Sequence, residues 1–250
     1  MGKVLVIASG KGGTGKTMFA SNLGATLTKE GKTCVVIDFD LGLRNLDLYY
    51  GLEDNVVFDV YDVLTGVCRI KQALMRDKRF PGLYIMAASP EKSIGYLTPL
   101  HMKVLCDKLV QQYDYVIVDA PSGIEDGFMM SSAGADAAVI VVTPDYSAIR
   151  DADNLDRELL SLGIEDRYLI VNNVDYELVN QGMAPNLEEI SQLLKPQVVG
   201  VIPQDQNIRI STNFGIPIVY KEGTYIEKNF RKIAGRLMKL LEKDDGNSPA

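Results

Sequence analysis

One stretch near the start of this chain constrains its fold more than any other. Residues 10–17 read Gly-Lys-Gly-Gly-Thr-Gly-Lys-Thr, the G-x-x-x-x-G-K-[ST] spacing of a phosphate-binding loop. The context is also right, with an apolar run at residues 3–8 before it and an amphipathic stretch at 17–30 after it. Gly10, Gly12, Gly13 and Gly15, with Thr14 among them, let backbone N–H groups turn inward and form a nest for phosphate oxygens. The helix opening near Lys16 adds its positive dipole end. Lys16 is placed to neutralise the outer phosphates of a nucleotide, and Thr17 to offer its hydroxyl to Mg²⁺.

A loop of this kind belongs at the edge of a parallel sheet, and the rest of the chain supplies one. Runs at 33–38, 83–87, 115–119, 137–143, 168–172 and 198–202 are apolar and β-branched, without polar alternation. That pattern is expected of strands covered by helices on both faces. Amphipathic stretches at 99–112, 148–162, 186–194 and 225–242 lie between or after them, and Leu155, Leu159 and Leu162 show the spacing of a sheet-facing stripe. The predicted fold is therefore a doubly wound α/β P-loop domain, a mostly parallel sheet of seven to eight strands with helices on both faces. One domain at 1–243 is expected, followed by a disordered polar tail at 244–250.

Several function classes are disfavoured. Twenty-six Lys and Arg against 33 Asp and Glu give a net charge of −7, which argues against a nucleic-acid partner. Three cysteines without paired spacing, Cys34, Cys68 and Cys106, fit a reducing compartment. Cys34 falls in a predicted strand and the other two on predicted helices, so no thiolate pair for an iron–sulfur centre is foreseen. The apolar opening at residues 4–8 is too short for a signal core, and no stretch approaches the about 18 apolar residues of a membrane span. A cytoplasmic location is expected, peripheral at the membrane at most.

Three carboxylates sit where strands end. Asp119 closes the run 115–119, at the sheet edge where open α/β folds place ligands, and is suited to hold Mg²⁺. Asp38 and Asp40 follow another strand. Two residues apart on an extended chain they point the same way, so both approach the same metal–phosphate corner. Lys11, a second lysine inside the loop, sits beside Lys16 and the helix dipole. It is either a solvated loop charge or the partner of an anion, and the residues alone leave both readings open. Asp151, in an acidic first turn, is equally open. His101, the one histidine, reads as a surface or packing residue.

Further motifs sharpen the picture. The loop K-G-G-T-G-K-T resembles the deviant Walker A motif of the MinD/ParA ATPase family, and the run Ile37-Asp38-Phe39-Asp40-Leu41-Gly42-Leu43-Arg44-Asn45-Leu46-Asp47 resembles its MinD branch. So do residues 73–79, 118–125 and 200–205. The resemblance runs in order from about residue 3 to residue 240. It implies ATP or ADP with Mg²⁺ as cofactors and an ATP-dependent homodimer in which Lys11 reaches the partner's phosphates. It implies slow ATP hydrolysis unless stimulated, with Lys11, Lys16 and Asp40 as catalytic residues. Asp40 would position the attacking water, and Thr17, Asp38 and Asp119 would serve the metal. Asn172, Pro203 and Asp205 would line the base pocket, and Asp151 would lie at the dimer seam. The cellular role implied is placement of the cell-division site, with an inhibitor or an ATPase-stimulating protein as partner. The alternatives within the family are a flagellar-number regulator and a partition ATPase. Met18 stands where the family commonly has a second Thr and is counted with the nucleotide-binding residues; since Thr17 remains, metal binding is expected to survive.

The last predicted helix carries Phe230, Ile233, Leu237, Leu240 and Leu241 on one stripe, with six basic residues against one acidic between 228 and 243. Such a helix suits an anionic bilayer, but the same stripe serves packing on the sheet. Packing is the expected role, with any membrane contact weak.

Overall fold

The computed structural model describes residues 2–90 and 95–244, with side chains through residue 242. Eight strands build one sheet: β1 Lys3–Ala8, β2 Cys34–Asp38, β3 Met75–Arg76, β4 Leu83–Met86, β5 Tyr115–Asp119, β6 Ala137–Val142, β7 Asp166–Val174 and β8 Gln197–Pro203. Their order is β3-β4-β2-β5-β1-β6-β7-β8. Every pairing is parallel except β3 with β4. The phosphate loop follows the central β1, and β5 and β2 beside it stay in register, with Ile7 opposite Asp119 and Asp119 opposite Asp38. The order therefore gathers the loop and two strand-end carboxylates at one edge of the sheet.

Helices cover both faces. On one face the Lys16–Lys29 helix and the last helix, Tyr225–Asp244, bury Phe19, Leu23, Phe230, Ile233 and Leu237 against the sheet. On the other, Tyr146–Ser161 buries Leu155 and Leu159, and Pro99–Leu109 buries Met102 and Leu105. The stripe of the last helix is thus part of the core. Leu240 is only partly buried there, and Lys228, Arg231, Lys232, Arg236 and Lys239 line the outer side.

The differences from the sequence reading have physical reasons. The antiparallel β3 is two residues long, too short to show a period. The helices Leu46–Tyr50, Val60–Leu64, Ile70–Ala73 and Asp126–Ser131 have at most six residues each, and the helical period emerges only over longer windows. Cys68 lies in the turn after Val60–Leu64, not on a helix. Its companions Cys34 and Cys106 are buried, and burial pushes both thiols up, Cys106 to about 12. His101 is more than a surface residue. It occupies the third position of the Pro99–Leu109 helix, where its Nδ1 accepts the Thr98 backbone N–H at 3.1 Å and completes a cap. Beyond residue 244 the expected tail lies outside the described residues.

Candidate phosphate-binding site

The loop between β1 and the Lys16–Lys29 helix is held from several sides. Ser9 Oγ donates to the Lys11 carbonyl at 2.7 Å, and Asn172 Nδ2 donates to the Thr14 carbonyl at 2.7 Å. Gly15 has φ 96°, and a Cβ there would fall 2.3 Å from Asn172 Nδ2. Glycine is required at that point both for its conformation and for the close approach of β7. Asn172, expected to read a base, therefore also ties the end of its strand to the loop.

The lysine and threonine of the motif meet the carboxylate edge. Lys16 Nζ donates to Ser122 Oγ at 2.6 Å, and Thr17 Oγ1 donates to Asp119 Oδ2 at 2.6 Å. Burial lowers the pKa of Lys16, while Asp119 and Asp40 pull it back up. Burial raises Asp119, and the charge of Asp38 raises it further against the pull of Thr17 and Lys16. Asp38 is likewise raised by burial, although three backbone amides oppose the shift. A carboxylate pair kept from solvent in this way favours a cation beside it.

The unsatisfied atoms point to the same corner. Among the described residues, three buried side-chain polar atoms lack a hydrogen-bond partner, and two belong here, Thr14 Oγ1 and Asp119 Oδ1. Buried polar groups are otherwise almost always paired. The free oxygen of Asp119 beside the Thr17 hydroxyl is the donor set a magnesium–phosphate group takes. The residues present fit that group.

Asp38 and Asp40 are held differently. β2 ends at Asp38, and the backbone then folds back, with Asp40 N–H donating to Asp38 Oδ1 at 3.0 Å and the Asp40 carbonyl accepting from Leu43 and Arg44. The chain turns after Asp38, yet the charge of Asp40 still acts on Lys16, Asp38 and Asp119. Asp38 Oδ2 also accepts the N–H groups of Asn45 and Leu46, each at 3.0 Å. Asp38 thereby anchors the 40–46 loop and the start of Leu46–Tyr50. Asp40 is half-buried, and it lines a cavity of about 510 Å³ with Ser122, Glu125 and Phe128.

Lys11 is docked on its own chain. Its Nζ donates to Ser147 Oγ at 3.0 Å and lies 3.7 Å from Asp145 Oδ1. Hydrogen bonds from Thr143, Ala148 and Ser147, with the Lys11 charge, outweigh burial and hold Asp145 at about 2. Asp151 sits nearby, its backbone against Gly10. Asp205 caps the Gln206–Asn213 helix through the Asn207 N–H at 2.8 Å, and Pro203 ends β8. The side chain of Met18 is buried, and its Cε lies 3.7 Å from where a Cβ on Gly15 would stand, at the end of the loop. Sequence reasoning assigned no role to Ser122, Ser147 or Asp145. Ser122 was within reach of it, three residues past a strand-ending Asp; the other two meet Lys11 only through the fold.

Residues 5–218 match the family model of the CobQ/CobB/MinD/ParA nucleotide-binding domain. The chain belongs to this family. It is 43% identical over 238 residues to the septum site-determining protein MinD of Synechocystis sp., covering 95% of this chain and 90% of the relative. It superposes with a TM-score of 0.87 and 38% identity on a chain of the MinC:MinD cell division protein complex of Aquifex aeolicus, over 99% of this chain and 98% of that one. The septum site-determining protein MinD complexed with Mg-ADP from Pyrococcus horikoshii is 27% identical with a TM-score of 0.85, covering 96% of this chain and 98% of that one. The loop, Lys16, Thr17 and Asp119 all lie within the residues that this nucleotide-binding domain model matches. Among the described residues no helix is long and apolar enough to cross a membrane.

Proposed function

We propose that this chain is an ATP-switched regulator of cell-division site placement. It binds Mg–ATP, pairs with a second copy, engages a division-inhibitor or ATPase-stimulating protein, and is reset by hydrolysis to ADP and phosphate. The observation that carries the reading is the Thr17–Asp119 pair with its free carboxylate oxygen beside the buried Lys16. The relatives named for septum placement support the cellular role. A partition role in the same family would call for a basic face, against a net charge of −7.

Each residue has a distinct task in this reading. Lys16 and the loop amides hold the phosphates, and Ser122 keeps Lys16 oriented at 2.6 Å. Thr17 and Asp119 hold Mg²⁺, with Asp38 securing the loop beside it; the ion neutralises phosphate charge when bound. Asp40 orients the attacking water in its cleft, a task of position and charge more than of proton removal. Lys11 exchanges Ser147 and Asp145 for the partner's phosphates on pairing. Asn172, Pro203 and Asp205 flank the base. The protein works in the cytoplasm, and the apolar stripe of the last helix, engaged in the core, is not free to lie on a membrane.

Asp40 supplies the test. Asp40→Ala leaves the loop and metal residues in place, so it is expected to bind ATP and pair normally. Its single-turnover hydrolysis should fall by roughly a hundredfold or more, the usual scale for a positioned carboxylate. Wild-type turnover in that variant would remove Asp40 from the chemistry, with Asp38 the next candidate.

A further inference from the structure

Asp77 and Arg79 follow the edge strand β3 and take no part in the chemistry above, yet they are joined through both the backbone and the side chain of Arg79. Arg79 donates to Asp77 from its backbone N–H at 2.8 Å, from Nε at 3.0 Å and from Nη2 at 2.6 Å. The carboxylate of Asp77 is almost wholly buried. The same guanidinium donates from Nη1 to the Gly215 carbonyl at 2.8 Å and from Nη2 to the Tyr50 carbonyl. These carbonyls stand at the ends of two helices, Leu46–Tyr50 and Gln206–Asn213, where acceptors are left over and partial negative charge collects.

The two helix ends meet back to back. Gly51 and Gly215 both have left-handed φ, 59° and 61°, and a Cβ on Gly215 would lie 2.6 Å from Gly51 Cα. Leu46–Tyr50 is already fixed at its start by Asp38 and at its end by Tyr50, whose hydroxyl donates to the Ser21 carbonyl at 2.7 Å. Gln206–Asn213 is different, because it buries none of its residues. Of its apolar residues Ile208 packs partly against the core, and its two ends are held by Asp205 at the start and through the Gly215 carbonyl just past the finish. Between the two helices lies a cleft of about 730 Å³ lined by Thr17, Asn45, Leu48, Tyr49, Thr212 and Phe214.

We propose that Arg79 is a positioning residue that latches the helix capped by Asp205 to the helix anchored by Asp38, and so fixes where the base-flanking Asp205 stands relative to the phosphate loop. The inference rests on the nucleotide-binding reading of the loop and assigns this arginine a part in it. The planar fork of five donors reaches both carbonyls and the carboxylate at once. A lysine keeps the charge for Asp77 but has a single nitrogen and cannot span the three acceptors. The phosphate end of the site is anchored separately by Asp38 and the loop, so releasing the latch loosens the nucleoside end alone.

The test is Arg79→Lys, because Arg79→Ala would strand the buried Asp77 and risks losing the fold. Thermal melting and near-ultraviolet circular dichroism report the fold, and calorimetry reports binding of Mg–ADP and of inorganic tripolyphosphate with Mg²⁺. The expected result is a folded variant whose Mg–ADP affinity drops about tenfold while tripolyphosphate stays within about twofold, with KM for ATP raised and kcat kept. Unchanged ADP affinity would overturn the latch. So would a parallel loss for both ligands, or a variant that does not fold, since either makes Arg79 a general stabiliser. Failure of the wild-type protein to bind Mg–ADP would instead overturn the nucleotide reading itself, whatever Arg79→Lys does.

Discussion

Replacing Lys16 with alanine is expected to weaken Mg–ATP binding by about thirtyfold or more and to abolish measurable hydrolysis. The ammonium is buried and hydrogen-bonded to Ser122, in the field of Asp119 and Asp40. Truncating one partner of a buried charge pair typically costs about 2–5 kcal/mol, and each 1.4 kcal/mol is about tenfold in affinity. The phosphates would face the raised carboxylates of Asp119 and Asp38 with only a metal ion between them. Titration of a fluorescent ATP analogue measures the effect. Binding within about threefold of wild type would mean that the loop does not cradle phosphates through Lys16.

Truncation before Tyr225 is expected to unfold the chain. The last helix buries Ile226, Phe230, Ile233, Leu237 and Leu241, each at most 3% exposed. Phe230 stacks on Phe19 with ring centroids 6.0 Å apart, and the helix packs so closely on β8 that a Cβ on Gly200 would meet Ile233 at 2.5 Å. Burying one such side chain contributes about 1.5–3 kcal/mol, so five together approach the about 5–15 kcal/mol by which a whole domain is stable. Loss of the cooperative thermal transition is the expected outcome. A truncated chain that still melts cooperatively and binds ATP, but no longer sediments with anionic vesicles, would make this helix a membrane anchor instead.

The parts of the molecule legible in the sequence were those with long or rigid signatures. β1, the loop and the helix after it were readable because apolar run, glycine spacing and Lys-Thr each constrain the same few residues. β2, β5 and β6 were readable as apolar runs with no polar side. Asp119 stood out because a charge at the end of such a run must face the ligand edge. The segment between residues 44 and 76 was opaque, since its helices of four or five residues are held by caps and neighbours instead of periodicity. Asp38 shows the limit at the site: its place was evident, but its three bonds to the following backbone depend on a turn that sequence spacing does not reveal. The docking of Lys11 on Ser147 joins residues 136 apart in the chain, and only the sheet order brings them together.

In the proposed function ATP, through Lys11, brings two copies of this chain together. Light scattering coupled to size exclusion tests it most directly, with wild type and Lys11→Ala each run in Mg–ADP and in Mg–ATP, and with Asp40→Ala in Mg–ATP to hold the paired state. Two apposed triphosphates repel strongly unless a cation from each subunit crosses between them, and a charge-assisted lysine–phosphate bond is the contact available. Wild type and Asp40→Ala are predicted to run as dimers in ATP and wild type as a monomer in ADP, with Lys11→Ala monomeric in both. A wild-type mass that is the same in both nucleotides, or a Lys11→Ala variant that pairs in ATP as readily as wild type, would contradict it.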